Sequence, residues 1–460
     1  MGLSIKAFCC SAMIVVLASV GAFSETSDTT PEVSKPRDTT SWMKKIDISG
    51  YGAIEGGQVV AGHYVFLTSQ PQIEHLWLGS VYADIGVHST INKYFSILLS
   101  LESRMWYTAP LVMQKDNTTW GAPLQNFEFN FPNAKGTLSL DLKKVAAFTL
   151  DFGRFEYKYN PQAEDLGEYL FRSGCYPAYL QTNFDLPLAR VNGFALSCKL
   201  FDFIRQDLLL TTMTEVRPFY DFSLTYIADI AVGKVFDISG GVQFDHLISV
   251  DENETSPKSE YIYYGYLNAP GDTGYYTFAG TKLMLRFMFD PKRFFNAPFF
   301  GEKDGIIYAE AAVLGLKNYP KSNAVDTTNI LSNLYGYDNL LEKMPIMFGV
   351  NVPTFKILDV LSIEGEWFGS KYADNYHNNY NLRPTPATNP NDLTDFDYAH
   401  DDWKWAVYAK KTIWGGLSFI GLAGRDHLRI KTFITKDQDW GATLVKNNQW
   451  YWMLKLKYYF

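Results

Sequence analysis

The chain ends on Trp450-Tyr451-Trp452-Met453-Leu454-Lys455-Leu456-Lys457-Tyr458-Tyr459-Phe460. Every even-numbered residue of this stretch is aromatic or aliphatic, whereas the odd-numbered residues include Lys455 and Lys457. A β-strand points alternate side chains to opposite faces, so one face of this strand is apolar throughout and the other carries charge. An apolar face needs cover from a second protein layer or from lipid. A strand of about ten residues with this alternation and with aromatic ends is typical of a transmembrane β-barrel.

The opposite end of the chain predicts a secretory signal peptide over residues 1–24. Lys6 supplies a positive charge, residues 7–21 are apolar, and Ala22-Phe23-Ser24 offers small residues at the cleavage positions. The apolar run is too short and too early for a membrane-spanning helix. Residues 25–45 are rich in Thr, Ser, Asp and Pro, which predicts a flexible periplasmic lead-in before the barrel of residues 46–460.

The last strand resembles the C-terminal signal of bacterial outer-membrane barrels. That signal ends on an aromatic residue preceded by apolar residues at alternating positions, which here are Phe460 and then Tyr458, Leu456 and Leu454. With the signal peptide, the resemblance places the protein in the bacterial outer membrane as an integral barrel. It implies that the barrel-assembly machinery, membrane lipid and lipopolysaccharide are partners.

Composition supports this class without deciding it. The chain holds 30 Tyr and 33 Phe, which suits the aromatic girdles of a barrel but also suits an aromatic-rich secreted β-protein. The net charge is −8 with no basic stripe, so a nucleic-acid partner is not expected. No stretch supplies the ~18 uninterrupted apolar residues of a membrane helix. The alternation along the chain favours the barrel.

From Ile46 onward, stretches of alternating polarity are separated by connections that are themselves alternately long and short, as in outer-membrane barrels. We predict an all-β fold: a closed antiparallel transmembrane barrel of about sixteen strands, within a range of 14–18. The predicted strands cover 46–57, 74–88, 94–106, 125–142 with a break near Pro132, 147–159, 191–203, 207–215, 219–232, 236–250, 274–289, 305–317, 344–354, 359–370, 402–413, 417–433 and Trp450 to Phe460. Turns are expected at Arg205-Gln206 among other places.

Alternation also sorts the side chains of each strand into two faces. The inward face is rich in charges of both signs, which a dry core would bury only at high cost, so we expect a water-filled lumen. The alternative is a narrower barrel filled with paired ions. The pore-lining candidates are Glu102, Arg104, Asp151, Arg154, Asp229, Asp245, Lys282, Arg286, Glu364, Glu366, Lys404, Lys410, Lys455 and Lys457.

Two further hypotheses concern the strand that contains Gly153 and the seam between the first and last strands. A phase slip at Gly153 would bring Arg154 inward and turn Phe155 and Tyr157 outward. At the closing seam, Asp47 could pair with a lysine of the last strand, although two solvated charges are the simpler reading.

The long segment 160–190 is the candidate constriction. In architecture the chain resembles general bacterial porins, whose loop after the corresponding strand folds into the pore. The candidate residues are Glu164, Asp165, Glu168, Arg172, Asp185 and Arg190, whose acidic excess would attract cations. An ordinary extracellular loop is the alternative, and no porin motif is matched residue by residue. Whether Cys175 and Cys198 form a disulfide stays open, since strand parity points Cys198 to the lipid.

No catalytic motif, P-loop or zinc-binding motif is present, so neither an enzyme nor a cofactor or metal is predicted. The predicted function is a porin-like channel for passive diffusion of small hydrophilic solutes, with a trimer as the analogous assembly. The alternative is a barrel-anchored surface protein for binding or adhesion. Its basis is two Tyr- and Asn-rich loops, near Tyr263 and over 371–400, which would suit contact with carbohydrate.

Overall fold

The computed structural model describes residues 46–63, 72–106, 127–142, 145–172, 189–201, 203–212, 220–233, 235–248, 250, 265–269, 272–275, 280–295, 298–314, 341, 344–369, 403–413, 415–431, 440–442, 444 and 446–460. The predicted signal peptide and lead-in lie outside these residues. None of the helices in the described part of the chain has the length and apolar character needed to span a membrane.

Alternating polarity produces strands throughout the described chain. They are β1 Ile46–His63, β2 Gln72–Thr90, β3 Phe95–Trp106, β4 Phe127–Asn130, β5 Ala134–Asp141, β6 Ala146–Tyr157, β7 Ala189–Leu200, β8 Ile204–Thr212, β9 Phe222–Val232, β10 Phe236–Ile248, β11 Gly265–Ala269, β12 Asp272–Tyr275, β13 Gly280–Phe289, β14 Ile307–Val313, β15 Ile346–Asn351, β16 Val360–Trp367, β17 Trp403–Ile413, β18 Leu417–Arg425, β19 Arg429–Lys431, β20 Trp440–Ala442 and β21 Trp450–Tyr459. A single α-helical turn, α1, covers Tyr169–Arg172, and Pro291–Phe294 form a 3₁₀ turn.

Antiparallel pairing closes the main sheet into a ring. Its order is β1, β2, β3, β4 with β5, β6, β7, β8, β9, β10, β13, β14, β15, β16, β17, β18 and β21, and β21 pairs back to β1. β4 and β5 share one position, because both pair with β3 on either side of a break at 131–133. The predicted closed antiparallel barrel of 16 strands is confirmed. The pairing of β21 with β1 means that neither the first nor the last strand of the ring is left as a free sheet edge, which a barrel in hydrocarbon could not tolerate.

The seam between β1 and β21 runs from Tyr51 opposite Tyr459 to Ala61 opposite Trp450. This register puts Lys455 directly opposite Glu55, and their side chains pair at 3.2 Å. The hypothesis of a seam pair with Asp47 is wrong, because Asp47 lies beyond the end of β21 and is opposite His88 of β2.

The outward face is apolar as predicted. Leu454 and Phe460 of the C-terminal signal are 62% and 56% exposed, and Leu456 and Tyr458 also face out. Gly50 lies where the chain end docks, since its N–H and C=O bond Phe460 at 3.0 Å each. Any side chain there would meet the carbonyl of Asp84 and the ring of Phe460.

Two local predictions were wrong. The turn between β7 and β8 includes Phe201, which has a φ of 50°, and Phe203, and Arg205 and Gln206 lie within β8. The phase slip at Gly153 does not occur, although Gly153 has a φ of 112°. Phe155 and Tyr157 face inward and are buried, because the chain that follows β6 supplies an apolar surface for them.

Candidate functional site: a segment folded across the barrel

Residues 158–172, here called the inward segment, follow β6 and end in α1. β6 is fifth in the ring of strands, whereas the segment's contacts are on β10, β13, β14 and β16, at positions nine to thirteen. To connect the two, the segment crosses the interior of the barrel. It therefore lies where a constriction would lie.

Glu310 on β14 holds one part of this segment. Its carboxylate accepts hydrogen bonds from the backbone N–H groups of Glu168 at 3.1 Å and Tyr169 at 2.8 Å. It also accepts from Asn160 Nδ2 at 2.8 Å and from the hydroxyl of Tyr159. Hydrogen bonds to an ionised acceptor are stronger than neutral ones. Glu310 is thus an anchor for both ends of the inward segment.

Glu364 on β16 holds the middle of the segment in the same way. It accepts three backbone N–H groups, from Glu164 at 2.7 Å, Asp165 at 2.9 Å and Leu166 at 2.7 Å, and a 2.6 Å bond from Tyr308. Glu364 is a pore-lining candidate by sequence. In the structure its carboxylate is on the inward face but is buried beneath the segment.

Apolar side chains complete the docking. Leu166, Tyr169, Leu170 and Phe171 are buried and belong to the core cluster that also contains Phe155 and Tyr157. The ring of Phe171 packs edge-on against that of Tyr157, with centroids 5.4 Å apart. The interior at this level is therefore packed around the segment.

The charge on the segment is smaller than its composition suggests. Burial raises the pKa of Glu168 to about 8; the charge of Lys158 lowers it and that of Glu310 raises it. Glu168 is therefore neutral at pH 7. Glu164 is paired with Lys303, from the connection before β14. The acidic excess predicted from the sequence is largely neutralised.

Most wall candidates have a partner on the barrel wall or in a connection next to it. The contacts are Glu102 with Arg190 at 3.0 Å, Arg104 with Glu55 at 3.9 Å, Asp151 with Lys135 at 2.7 Å, Asp229 with Arg286 at 2.5 Å, Asp245 with Lys282 at 3.2 Å, Glu366 with His427 at 2.8 Å, Lys404 with the carbonyl of Leu444 at 2.9 Å, Lys457 over the Tyr51 ring at 3.7 Å and Lys410 over the Tyr459 ring at 5.7 Å. The lining combines both signs, and mutual pairing offsets the cost of burial.

The C-terminal end of β6 is paired on one side only in the described part of the chain. In the described chain, Phe155–Tyr157 pair with β7 but not with β4, their neighbour in the ring. Arg190 is on β7, not in the loop as predicted, and it bonds Glu156 at 3.2 Å as well as Glu102. Arg154 reaches the carbonyl of Phe131 in the break between β4 and β5, so its predicted place on the lumen face is wrong.

The remaining residues predicted for the constriction lie either in the inward segment or outside the described residues. Glu164, Asp165 and Glu168 are in the inward segment, and Arg172 is in α1. Asp185 lies outside the described residues, as do Cys175, most of the Tyr-rich loop near Tyr263 and all of 371–400. Cys198 is a free thiol on β7, so it is not in a disulfide. Within the described part of the chain, no group of three or more His, Cys, Asp or Glu could hold a metal ion.

Glu310 and Tyr308 are not among the residues predicted from the sequence to line the pore or form the constriction. Both lie on the inward face of β14, in Ile307-Tyr308-Ala309-Glu310-Ala311. The sequence does carry a signal for this site: alternation places the carboxylate of Glu310 at an inward position of a largely apolar strand. It marks the strand as a place where something polar must dock.

No protein-family description and no curated protein matches this chain. Solved structures of bacterial porins are similar. One is OmpF of Salmonella typhi in complex with daunomycin, with a TM-score of 0.45, 8% identity, and coverage of 90% of this chain and 97% of that one. Another is a triple mutant of Rhodopseudomonas blastica porin, with a TM-score of 0.41, 7% identity, and coverage of 90% and 100%.

Strand pairing within this chain closes the ring. The exposed side chains of the strands give the ring an apolar outer face, and the buried ones give it a charged inner face. The chain is a closed 16-stranded antiparallel β-barrel with an apolar outer face and with a segment of its own folded into the bore.

Proposed function

We propose that this protein is an outer-membrane channel for passive diffusion of small hydrophilic solutes, with residues 158–172 as its constriction. The observation that carries the proposal is the anchoring of the inward segment on Glu310 and Glu364, across the ring from β6. A sixteen-stranded barrel without such a segment would enclose a wide bore. A segment held at fixed points narrows the bore to a defined size.

Selectivity follows from the charges around the segment. Glu168 is neutral at pH 7 and Glu164 is paired with Lys303. The other charged residues of the inward segment are Lys158, Asp165 and Arg172, which include both signs, so the constriction carries little net charge. We therefore expect weak discrimination between small cations and anions at neutral pH. The sequence alone predicts a preference for cations, because segment 160–190 has more acidic than basic residues. Ionised side chains select between cations and anions only when a neighbouring charge does not cancel their field.

The other elements of the proposal concern export and assembly. Residues 1–24 act as the signal peptide, and the Leu454–Phe460 end is read by the barrel-assembly machinery. Lipid and lipopolysaccharide cover the apolar outer face, and three copies form the working assembly. Cleavage after Ser24 would give a mature protein that starts at Glu25, which N-terminal sequencing of the exported chain checks.

Planar-bilayer recording of the purified protein tests the function. We expect stepwise increases in conductance and a reversal potential near zero in a salt gradient at pH 7. A correctly folded barrel, judged by its heat-modifiable mobility on a gel, that inserts and stays electrically silent would contradict the proposal.

A further inference from the structure

We propose that the inward faces of β9, β10 and β13 form a binding site for a neutral polyhydroxylated solute. The site lies beside Leu170, here called the tip of the inward segment. The site is a patch of four residues: Thr225, Gln243, Asp245 and Lys282. The inference rests on the proposed channel function, because a solute reaches this wall only through the bore.

Strand register assembles the patch. Thr225 of β9 lies directly opposite Gln243 of β10, and Gln243 lies opposite Lys282 of β13. Asp245 is two residues along β10 from Gln243, so it shares the inward face. Its Oδ2 is 3.2 Å from Lys282 Nζ. Four polar side chains from three adjacent strands therefore converge on one area of wall.

All four side chains are enclosed, and three of them, Thr225, Gln243 and Asp245, have polar atoms without a hydrogen-bond partner in the described part of the chain. Thr225, Gln243 and Lys282 are 0% exposed and Asp245 is 1% exposed. Within the described part of the chain, Thr225 Oγ1, both polar atoms of Gln243 and both carboxylate oxygens of Asp245 lack a hydrogen bond, although Asp245 keeps its ion-pair contact. Leaving a buried polar atom unpaired costs about 1–3 kcal/mol. Apolar residues would serve the fold better here, so the polar atoms point to a ligand.

The chemistry of the patch selects a neutral polyol. Asp245 and the Gln243 carbonyl offer acceptors, the Gln243 amide offers a donor, and Thr225 can do both. Hydroxyl groups donate and accept, so one polyol satisfies the whole set. A charged solute would instead have to compete with the pair between Asp245 and Lys282, whose opposite charges already neutralise each other.

An apolar row borders the patch towards the inward segment. It consists of Ile227, Gly241 and Met284, which are opposite one another in the register. Leu170 is seated on Gly241: a Cβ added to that glycine would be 3.0 Å from Leu170 Cδ2. Such a surface suits the C–H face of a sugar ring, as in other sites that combine apolar walls with a few polar groups.

The tip of the segment also covers the site. Lys282 Nζ lies 3.4 Å from the carbonyl oxygen of Leu170, within reach of a long hydrogen bond. A solute hydroxyl that accepts from Lys282 takes the place of this carbonyl. Binding and displacement of the segment tip are therefore coupled.

The experiment records the ion current of the full-length channel in planar bilayers while D-glucose is added. Wild type should show saturable block of the current. The variant Thr225→Val/Gln243→Leu should need about tenfold more glucose for half-block, because two side chains lose their hydrogen bonds to the solute. Thr137→Val is the matched control, since it removes an inward hydroxyl of β5 that bonds Asp151 instead. It should leave the half-blocking concentration unchanged.

Stability gives a second readout. Because the replaced atoms have no hydrogen-bond partner among the described residues, Thr225→Val/Gln243→Leu should unfold at the wild-type denaturant concentration or above it. A clear fall would show a structural role and overturn the site. Open channels that glucose does not block, or that glycine blocks at a lower concentration than glucose, would also overturn it while leaving the channel function intact. Absence of any current would overturn the channel function, and this inference with it.

Discussion

The carboxylate of Glu310 accepts a 2.8 Å hydrogen bond from the backbone N–H of Tyr169, although Tyr169 belongs to a segment that leaves the wall six positions around the ring. This single contact requires the chain to cross the bore. Glu364 repeats the arrangement two strands further on. The inward segment is therefore held at two points on the far wall. Replacing either carboxylate should change both stability and conductance.

Replacing Glu310 with Gln should release one clamp. The amide keeps one oxygen acceptor but turns an NH₂ group towards N–H donors, so several charge-assisted hydrogen bonds weaken. We expect the free energy of unfolding to fall by about 3 kcal/mol and the single-channel conductance to rise. Denaturant unfolding followed by tryptophan fluorescence, together with bilayer recording, measures both effects.

The matched control is Glu366→Gln, which alters a buried inward carboxylate of β16 that bonds His427. Its conductance should stay at the wild-type value. If Glu310→Gln and Glu366→Gln change the conductance equally, Glu310 does not position the constriction.

A double-mutant cycle tests whether the two clamps act on one segment. Once Glu310→Gln has loosened the segment, Glu364→Gln has less left to disrupt. The double variant should therefore lose less free energy of unfolding than the sum of the single variants, by about 0.5–3 kcal/mol. Strict additivity would mean that Glu310 and Glu364 hold independent parts of the protein.

The ionisation of Glu168 predicts a pH dependence. Its pKa is raised from 4.5 to about 8 in the folded protein, so the native state holds a proton that the unfolded state has lost over that interval. Stability should fall as pH rises from 4.5 to 8, by up to about 1.4 kcal/mol per pH unit, and level off above pH 8. Unfolding midpoints measured from pH 5 to pH 9 check this.

In Glu168→Gln the side chain cannot ionise, so the same series should be flatter between pH 5 and pH 8. A wild type and a Glu168→Gln variant with identical slopes would show that Glu168 ionises normally.

The seam provides a prediction about assembly. A Cβ on Gly50 would be 2.3 Å from the carbonyl oxygen of Asp84, which is backbone and cannot move aside, and 2.9 Å from the ring of Phe460. Gly50→Ala should lower stability by about 1–3 kcal/mol and reduce the folded fraction. Heat-modifiable gel mobility after refolding into lipid vesicles measures this fraction.

Gly52→Ala is the control for this change, since a Cβ on Gly52 meets no atom within 4 Å. It should refold like the wild type. Equal losses in Gly50→Ala and Gly52→Ala would show that the docking of Phe460 on Gly50 does not matter for closure.

Strand positions could be predicted because lipid and water impose a two-residue period on every strand of a closed barrel. The strand from Ile307 shows the limit of that rule. Alternation puts Glu310 on the inner face, but nothing in the local sequence states that its partner is the backbone near Tyr169, about 140 residues earlier. Phe155 and Tyr157 were assigned to lipid for the same reason, because an apolar partner inside the barrel leaves no trace in strand periodicity.

The path of the inward segment can be tested by cross-linking. In a Cys175→Ser/Cys198→Ser background, Glu164→Cys and Lys303→Cys replace two residues whose side chains pair where the inward segment meets the far wall. Glu164→Cys with Lys135→Cys of β5 is the control. A short bifunctional thiol reagent added to the folded barrel should join the 164–303 pair, seen by intact mass, and leave the 164–135 pair unjoined. Cross-linking of 164 to 135 but not to 303 would show that the segment does not reach the far wall, and would contradict the account.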